Sequence, residues 1–164
     1  RNNNPVLFLE NELDYGMKGH VPEESYTVPI GKAAVRAEGS DVTLISHSRM
    51  LSFCQEARAH FEKKGVSIEL IDLRTVKPLD TGTIAHSVRK TSRCVLVEEG
   101  HLFAGISAEV GFQVQHLCFD FLDAPIERVC QRETPLPYSK EIERLSQPNI
   151  ERIVEAIDRV LAGS

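Results

Sequence analysis

No stretch of this chain is long and apolar enough to cross a membrane as a helix. Its longest apolar runs, such as Val6-Leu7-Phe8-Leu9, fall far short of the roughly 20 residues that a span needs. Basic clusters are also missing. Nineteen Lys and Arg are interspersed among 24 Asp and Glu, for a net charge of −5, so nothing resembles the basic patch of a nucleic-acid binder. Zinc-finger spacing and aromatic–basic alternation are absent too. Cys54, Cys94, Cys118 and Cys130 form no C-x-x-C pair, which argues against a metal site or a redox dithiol. They are expected to be buried free thiols in a reducing compartment. There is no G-x-G-x-x-G, and Ser46, Ser48 and Ser107 lack the G-x-S-x-G elbow of a serine hydrolase. No signal-peptide pattern opens the chain.

What is present is an ordinary globular composition. Hydrophobic residues make up 41% and charged residues 26%, and 164 residues suffice for one core but not two. The chain starts at Arg1 without an initiator methionine. Its first residues read as the middle of something longer, and a fragment is expected.

Val6 to Glu10 is a short apolar run of strand type. Residues 11–29 follow with no sustained period and with Gly16, Gly19, Pro22 and Pro29, as a linker or long loop would. About 20 irregular residues after a strand are unusual inside a compact domain. The pair makes more sense as the last strand of a missing domain and the linker out of it.

From Ile30 the pattern is regular. Asp41–Ser46 reads as a strand. Ser48 is a candidate cap for a helix over 49–64, with Leu51, Cys54, Ala57 or Arg58, and Phe61 on one face and Gly65 as its stop. Val66–Leu73 is the next strand, and Asp80, past Pro78, caps a helix over 81–91. A third strand spans 93–98, a helix 105–118, and a fourth strand 125–130. Residues 131–148, with Pro135, Pro137 and Pro148, are expected to be irregular. Asn149 caps a final amphipathic helix carrying Ile150, Ile153, Val154, Ile157, Val160 and Leu161. Strands alternating with helices predict an α/β fold: three layers, α/β/α, around a mostly parallel sheet of about five strands.

Ligands of such folds sit beyond the carboxyl ends of the strands. His47-Ser48-Arg49 could form an anion site at a helix N-terminus; with no glycine-rich turn before it, a plain helix start is the simpler reading. Asp72 and Arg74 alternate on a strand and could pair, or Arg74 could tie down the loop before Pro78. Glu98 and Glu99 are adjacent and must face opposite sides, so they cannot form an acid–base dyad. A single Glu98 accepting N–H bonds from the following loop is the better role. His101 has no evident orienting partner and reads as an exposed interface histidine rather than a general base. Gly105 lets a helix approach the sheet closely.

The order of motifs resembles the C-terminal domain of the transketolase family, and within it the beta subunits of 2-oxoacid dehydrogenases. Asn4-Pro5-Val6-Leu7-Phe8-Leu9-Glu10-Asn11-Glu12-Leu13-x-Tyr15-Gly16 resembles the segment leaving the pyrimidine-binding domain. Pro29-Ile30-Gly31-Lys32-Ala33 resembles the start of the last domain. Asp72-Leu73-Arg74-Thr75-Val76-Lys77-Pro78-Leu79-Asp80 is the most specific match. Val97-Glu98-Glu99-Gly100, with Gly105 and Glu109, is similar to the next strand–loop–helix; Leu122-Asp123-Ala124-Pro125-x-x-Arg128-Val129 and Pro135-x-Pro137-Tyr138 are similar to the stretch before the final helix. Gln131 and Glu133 stand where relatives often carry Gly and Asp, and a glycine would permit positive φ at that turn.

The resemblance implies residues 1–29 as the end of a pyrimidine-binding domain plus linker, and 30–164 as a transketolase C-terminal-like domain. It implies an enzyme that uses thiamine diphosphate and Mg²⁺ to decarboxylate a 2-oxoacid and acylate lipoyl groups. The motif forms suit pyruvate better than branched-chain substrates. Implied partners are an alpha subunit, a second beta subunit and the subunit-binding domain of the dihydrolipoyl acyltransferase core. The implied location is the cytoplasm of a bacterium or the mitochondrial matrix of a eukaryote. No residue of the chain receives a catalytic, cofactor or metal role. Docking to the core falls on Asp123 and the C-terminal Ser164, with Arg74, Glu98 and His101 as interface or loop candidates. The alternatives are a branched-chain beta subunit and a stand-alone anion-binding module.

Overall fold

The computed structural model describes residues 2–163. Five strands form one sheet: β1 (Ala34–Ala37), β2 (Val42–Ser46), β3 (Ile68–Asp72), β4 (Cys94–His101) and β5 (Glu127–Gln131). Their spatial order is β1-β3-β2-β4-β5, with β1 antiparallel to β3 and every other pairing parallel. Five helices accompany them: α1 (Met50–Glu62), α2 (Thr81–Thr91), α3 (Ile106–Cys118), α4 (Lys140–Ser146) and α5 (Ile150–Ala162).

Alternation along each strand sorts the core into two layers. Val42 and Leu44 of β2, with Val95 and Val97 of β4, pack under Met50, Cys54, Ala57 and Phe61 of α1 and Ile153, Ala156, Ile157 and Val160 of α5. Ile45, Cys94 and Leu96 face the other way, onto Ile84 and Val88 of α2 and Val110 and Val114 of α3. The expected α/β/α sandwich is present. Each of the large apolar side chains buried in this way contributes about 1.5–3 kcal/mol.

The caps are local chemistry. Asp80 Oδ1 accepts from the Thr83 amide (3.2 Å) and Asn149 Oδ1 from the Arg152 amide (2.9 Å). Ser48 caps nothing with its side chain: α1 begins after Arg49 without a side-chain cap, and Ser48 takes a left-handed φ of 54°.

Among the described residues Val6–Glu10 pairs with no strand of the sheet. One further expectation needs correction, and one strand escaped the sequence reading. Residues 131–148 are not wholly irregular, because the short helix α4 lies among them. Strand β1 was not anticipated. It is four residues of an edge strand with a bulge between Val35 and Ala37, too short to show a period.

Candidate functional site

The carboxyl ends of β2, β3 and β4 lie side by side, and Ser46, Asp72, Glu98 and Glu99 gather there. Asp72 ends β3. Its Oδ2 accepts from Arg36 Nη2 at 2.6 Å and Nε at 3.0 Å, and its Oδ1 from the Arg74 backbone amide at 3.1 Å. The expected partner, the Arg74 guanidinium, makes no such pair: Arg74 is exposed and left-handed, φ 55°. The bulge in β1 places Arg36 against Asp72 instead.

Glu98, almost fully buried, caps α3. Oε2 accepts from the Ile106 amide and Oε1 from the Ser107 amide, both at 3.0 Å, and the Ser107 hydroxyl donates to Oε1 as well. Arg128 Nε donates to that hydroxyl at 2.9 Å. A carboxylate on free N–H groups at a helix start is favoured by the helix dipole. The donors belong to the helix's first turn rather than to the preceding loop. Gly105 makes the approach possible, since a Cβ there would lie 2.2 Å from Glu98 Oε1.

Glu99 points to the other face. It takes Arg49 Nη1 at 3.2 Å and Asn11 Nδ2 at 2.9 Å. Arg49 lies 5.5 Å over the Phe53 ring, so its guanidinium is occupied rather than offered to an anion. His47, between these groups, has a buried Nε2 with no hydrogen-bond partner. Burial pushes its imidazole below the ordinary histidine range, against the pull of Glu98, Asp72 and Glu99. A cavity of about 10 Å³ lies among His47, Leu96, Glu98, Ile106 and Ser107, room for at most about one water. His101 ends β4 and is exposed. Gln131 ends β5 without a positive φ, so no glycine is required there, and Glu133 Oε1 accepts from the Phe103 amide at 2.9 Å.

The stretch from Asp72 to Asp80 ties the start of the domain to α2. Thr75 Oγ1 accepts from the Gly31 amide (3.2 Å), and Asp80 Oδ2 from the Ala33 amide (3.1 Å). Burial alone would raise the Asp80 carboxyl; bonds from Thr83 and Ala33, with Lys32 3.9 Å away, outweigh it and hold it below the usual carboxylate range. Gly31 sits left-handed (φ 76°) against Pro78, whose Cγ would be 3.0 Å from a Cβ.

Asp123 lies elsewhere, at the amino ends of the strands. Its side chain is 59% exposed and 3.5 Å from Arg93 Nη2, and its backbone amide donates to Ser92 O at 2.9 Å. Its carbonyl is 4.0 Å from where a side chain on Gly163 would begin, which brings the end of α5 beside it. Ser164 lies outside the described residues. The four cysteines are free and buried, and burial pushes the Cys54 thiol up to about 12. No group of His, Cys, Asp and Glu among the described residues could hold a metal ion. Sequence reasoning missed Arg36 and the buried Glu69, and gave Arg128 no role beyond its place in a motif. Burial alone would raise Glu69; hydrogen bonds from Lys90, Ser87 and the Gly39 amide outweigh it and hold its carboxyl low.

A family model described as transketolase, C-terminal domain, matches residues 31–153. The chain belongs to that family. Among its relatives, the mitochondrial pyruvate dehydrogenase E1 component subunit beta of Dictyostelium discoideum is 44% identical, over 98% of this chain and 46% of the relative. The mitochondrial beta-1 subunit of Arabidopsis thaliana is 46% identical, over 97% and 45%. The beta subunit of Rickettsia felis is 44% identical, over 98% and 49%. The chain thus spans about half the length of the curated relatives it matches. A solved structure titled split gene transketolase, inactive beta4 tetramer, has a TM-score of 0.71 at 21% identity, covering 89% of this chain and 46% of that one. It supports the fold alone. The matched stretch begins at Gly31, which packs on Pro78.

Proposed function

We propose that this chain is the C-terminal domain of a pyruvate dehydrogenase beta subunit, and that it serves assembly and docking rather than bond-making. The carrying observation is identity of 44–46% along nearly its whole length to subunits so named in a slime mould and a plant. In this reading residues 1–29 are the last strand of a pyrimidine-binding domain and the linker out of it, and the whole enzyme uses thiamine diphosphate and Mg²⁺ to decarboxylate pyruvate and acetylate lipoyl groups. The residues here do not fit that cofactor. Asp72, Glu98 and Glu99 are each already bonded to groups of the chain itself, and the cavity among His47, Glu98 and Ser107 at that edge holds about 10 Å³. No chemical step is assigned to them.

The partners in this reading are an alpha subunit, a second beta subunit and the subunit-binding domain of the acyltransferase core. Docking is assigned to Asp123, with Ser164. An exposed carboxylate on a fixed turn, steadied by Arg93 and beside the end of α5, suits a small basic partner. The enzyme would work in the mitochondrial matrix or the bacterial cytoplasm, according to source.

Joined to its preceding polypeptide and an alpha subunit, the chain should support pyruvate decarboxylation that depends on thiamine diphosphate. Turnover of branched-chain 2-oxoacids only, or of none, would overturn the reading. Replacing Asp123 by Ala in that assembly should weaken binding of the core's subunit-binding domain by about 30-fold, as loss of about 2 kcal/mol predicts. Unchanged affinity removes the docking role.

A further inference from the structure

Five of the six histidines are exposed; His47 is the exception. It directly follows β2, and its buried Nε2 has no hydrogen-bond partner among the described residues. A buried polar atom left so is costly and calls for a reason. The charges that face the ring come from two strands: Asp72 from the end of β3, Glu98 and Glu99 from β4. Each of these carboxylates ties down a different piece of the edge. Asp72 holds Arg36 of β1 and the Arg74 amide. Glu98 holds the first turn of α3 through the Ile106 and Ser107 amides. Glu99 holds Arg49 and Asn11. The nearby cations are therefore engaged: Arg36 and Arg49 on those carboxylates, and Arg128 on the Ser107 hydroxyl and the Leu102 carbonyl, 4.0 Å from Glu98. From α3, Ile106, Ser107 and Val110 line the cavity of about 10 Å³ that His47 shares with Glu98. The acid in that helix's first turn, Glu109, is exposed.

We propose that His47 is a proton-operated latch on the carboxyl edge of the sheet: its imidazolium takes Glu98 as acceptor in place of the Ile106 and Ser107 amides and lets the start of α3 lift. The closed edge keeps the ring neutral, because burial outweighs the pull of three carboxylates. A proton therefore enters with opening, and opening becomes easier as pH falls below the ordinary histidine value of about 6.5. The loop after β4 leans on the same cluster, since Arg128 donates both to the Ser107 hydroxyl and to Leu102 O. Exposed Phe103 moves with the latch. The edge that receives ligands in other α/β folds is thus shut at neutral pH and released by acid.

Amide hydrogen exchange in the 164-residue chain tests this, run from about pH 7.5 to about pH 5 and with and without low urea, with the His47 ring resonances followed in the same samples. Once the intrinsic rate is divided out, opening at Ile106 and Ser107 should rise up to about 10-fold per pH unit below about 6.5, and level off where the ring of the closed chain finally ionises. Because this opening is local, urea that speeds exchange at Leu44 and Ile157 in the core should leave Ser107 nearly unchanged. His47→Gln should remove the pH response and keep the contrast in urea. Four results would overturn the latch: Ser107 opening that is flat with pH, a pH response that survives His47→Gln, urea sensitivity at Ser107 equal to that of the core, or a ring that ionises at the ordinary value. Should His47→Gln fail to fold, the other three readings in the parent chain decide.

Discussion

Strand β2 and the run Val6–Leu9 are similar as sequence and opposite as structure. Val42, Leu44 and Ile45 are at most 1% exposed, whereas Leu7, Phe8 and Leu9 are 82–92% exposed. What differs is company. β2 has β3 and β4 on either side and helices above and below, while the early run has no partner among the described residues. Apolar strand character is a demand for burial, and in this chain it is met only from residue 31 onward.

Substitutions can break or sharpen that contrast. The largest effect should come from Phe61→Ala in the α1 layer, which should cost about 3–5 kcal/mol in urea unfolding; Phe8→Ala should stay within about 0.5 kcal/mol of the parent. Equal costs would erase the distinction. Gly39→Ala should cost about 3 kcal/mol, since its Cβ would meet the Ile68–Glu69 backbone at 2.2 Å and overpacking of this kind is expensive. Glu98→Gln should cost about 1.5–3 kcal/mol, because a charged acceptor for the Ile106 and Ser107 amides is lost; the same change at exposed Glu10 should be silent.

The smallest effect concerns pH. His47 is held neutral in the folded chain by burial, but titrates near the ordinary value of about 6.5 when unfolded. Below that pH, unfolding takes up a proton, so stability falls as pH drops from about 6.5 towards the lowered folded value, and is unaffected above it. Replacing His47 by Gln should flatten stability against pH in that window. An unchanged slope would place the titration elsewhere.

The fold was largely legible in the sequence, and for physical reasons. The strands β2 to β5 are apolar runs cut by Gly, Pro and capping residues, and Asp80 and Asn149 sit where helix N–H groups need acceptors. Glu98 and Glu99 could be separated because strand residues alternate, and they do face α3 and Arg49 respectively. What stayed hidden depends on neighbours distant in sequence. The Asp72–Arg36 pair follows from β1, and four bulged edge residues carry no readable period. Arg128 reaches Ser107 only because β5 pairs with β4. Helix α4 leaves Ile142 and Leu145 exposed, so it has little of the buried face by which helices are recognised.

Calorimetry of the 164-residue chain with thiamine diphosphate and Mg²⁺, followed by an assay for pyruvate decarboxylation, probes most directly whether bond-making groups lie outside it. No saturable heat and no product are expected. Micromolar binding, or turnover by the chain alone, would mean that the closed carboxyl edge opens to hold the cofactor, contrary to the assembly role argued for this domain.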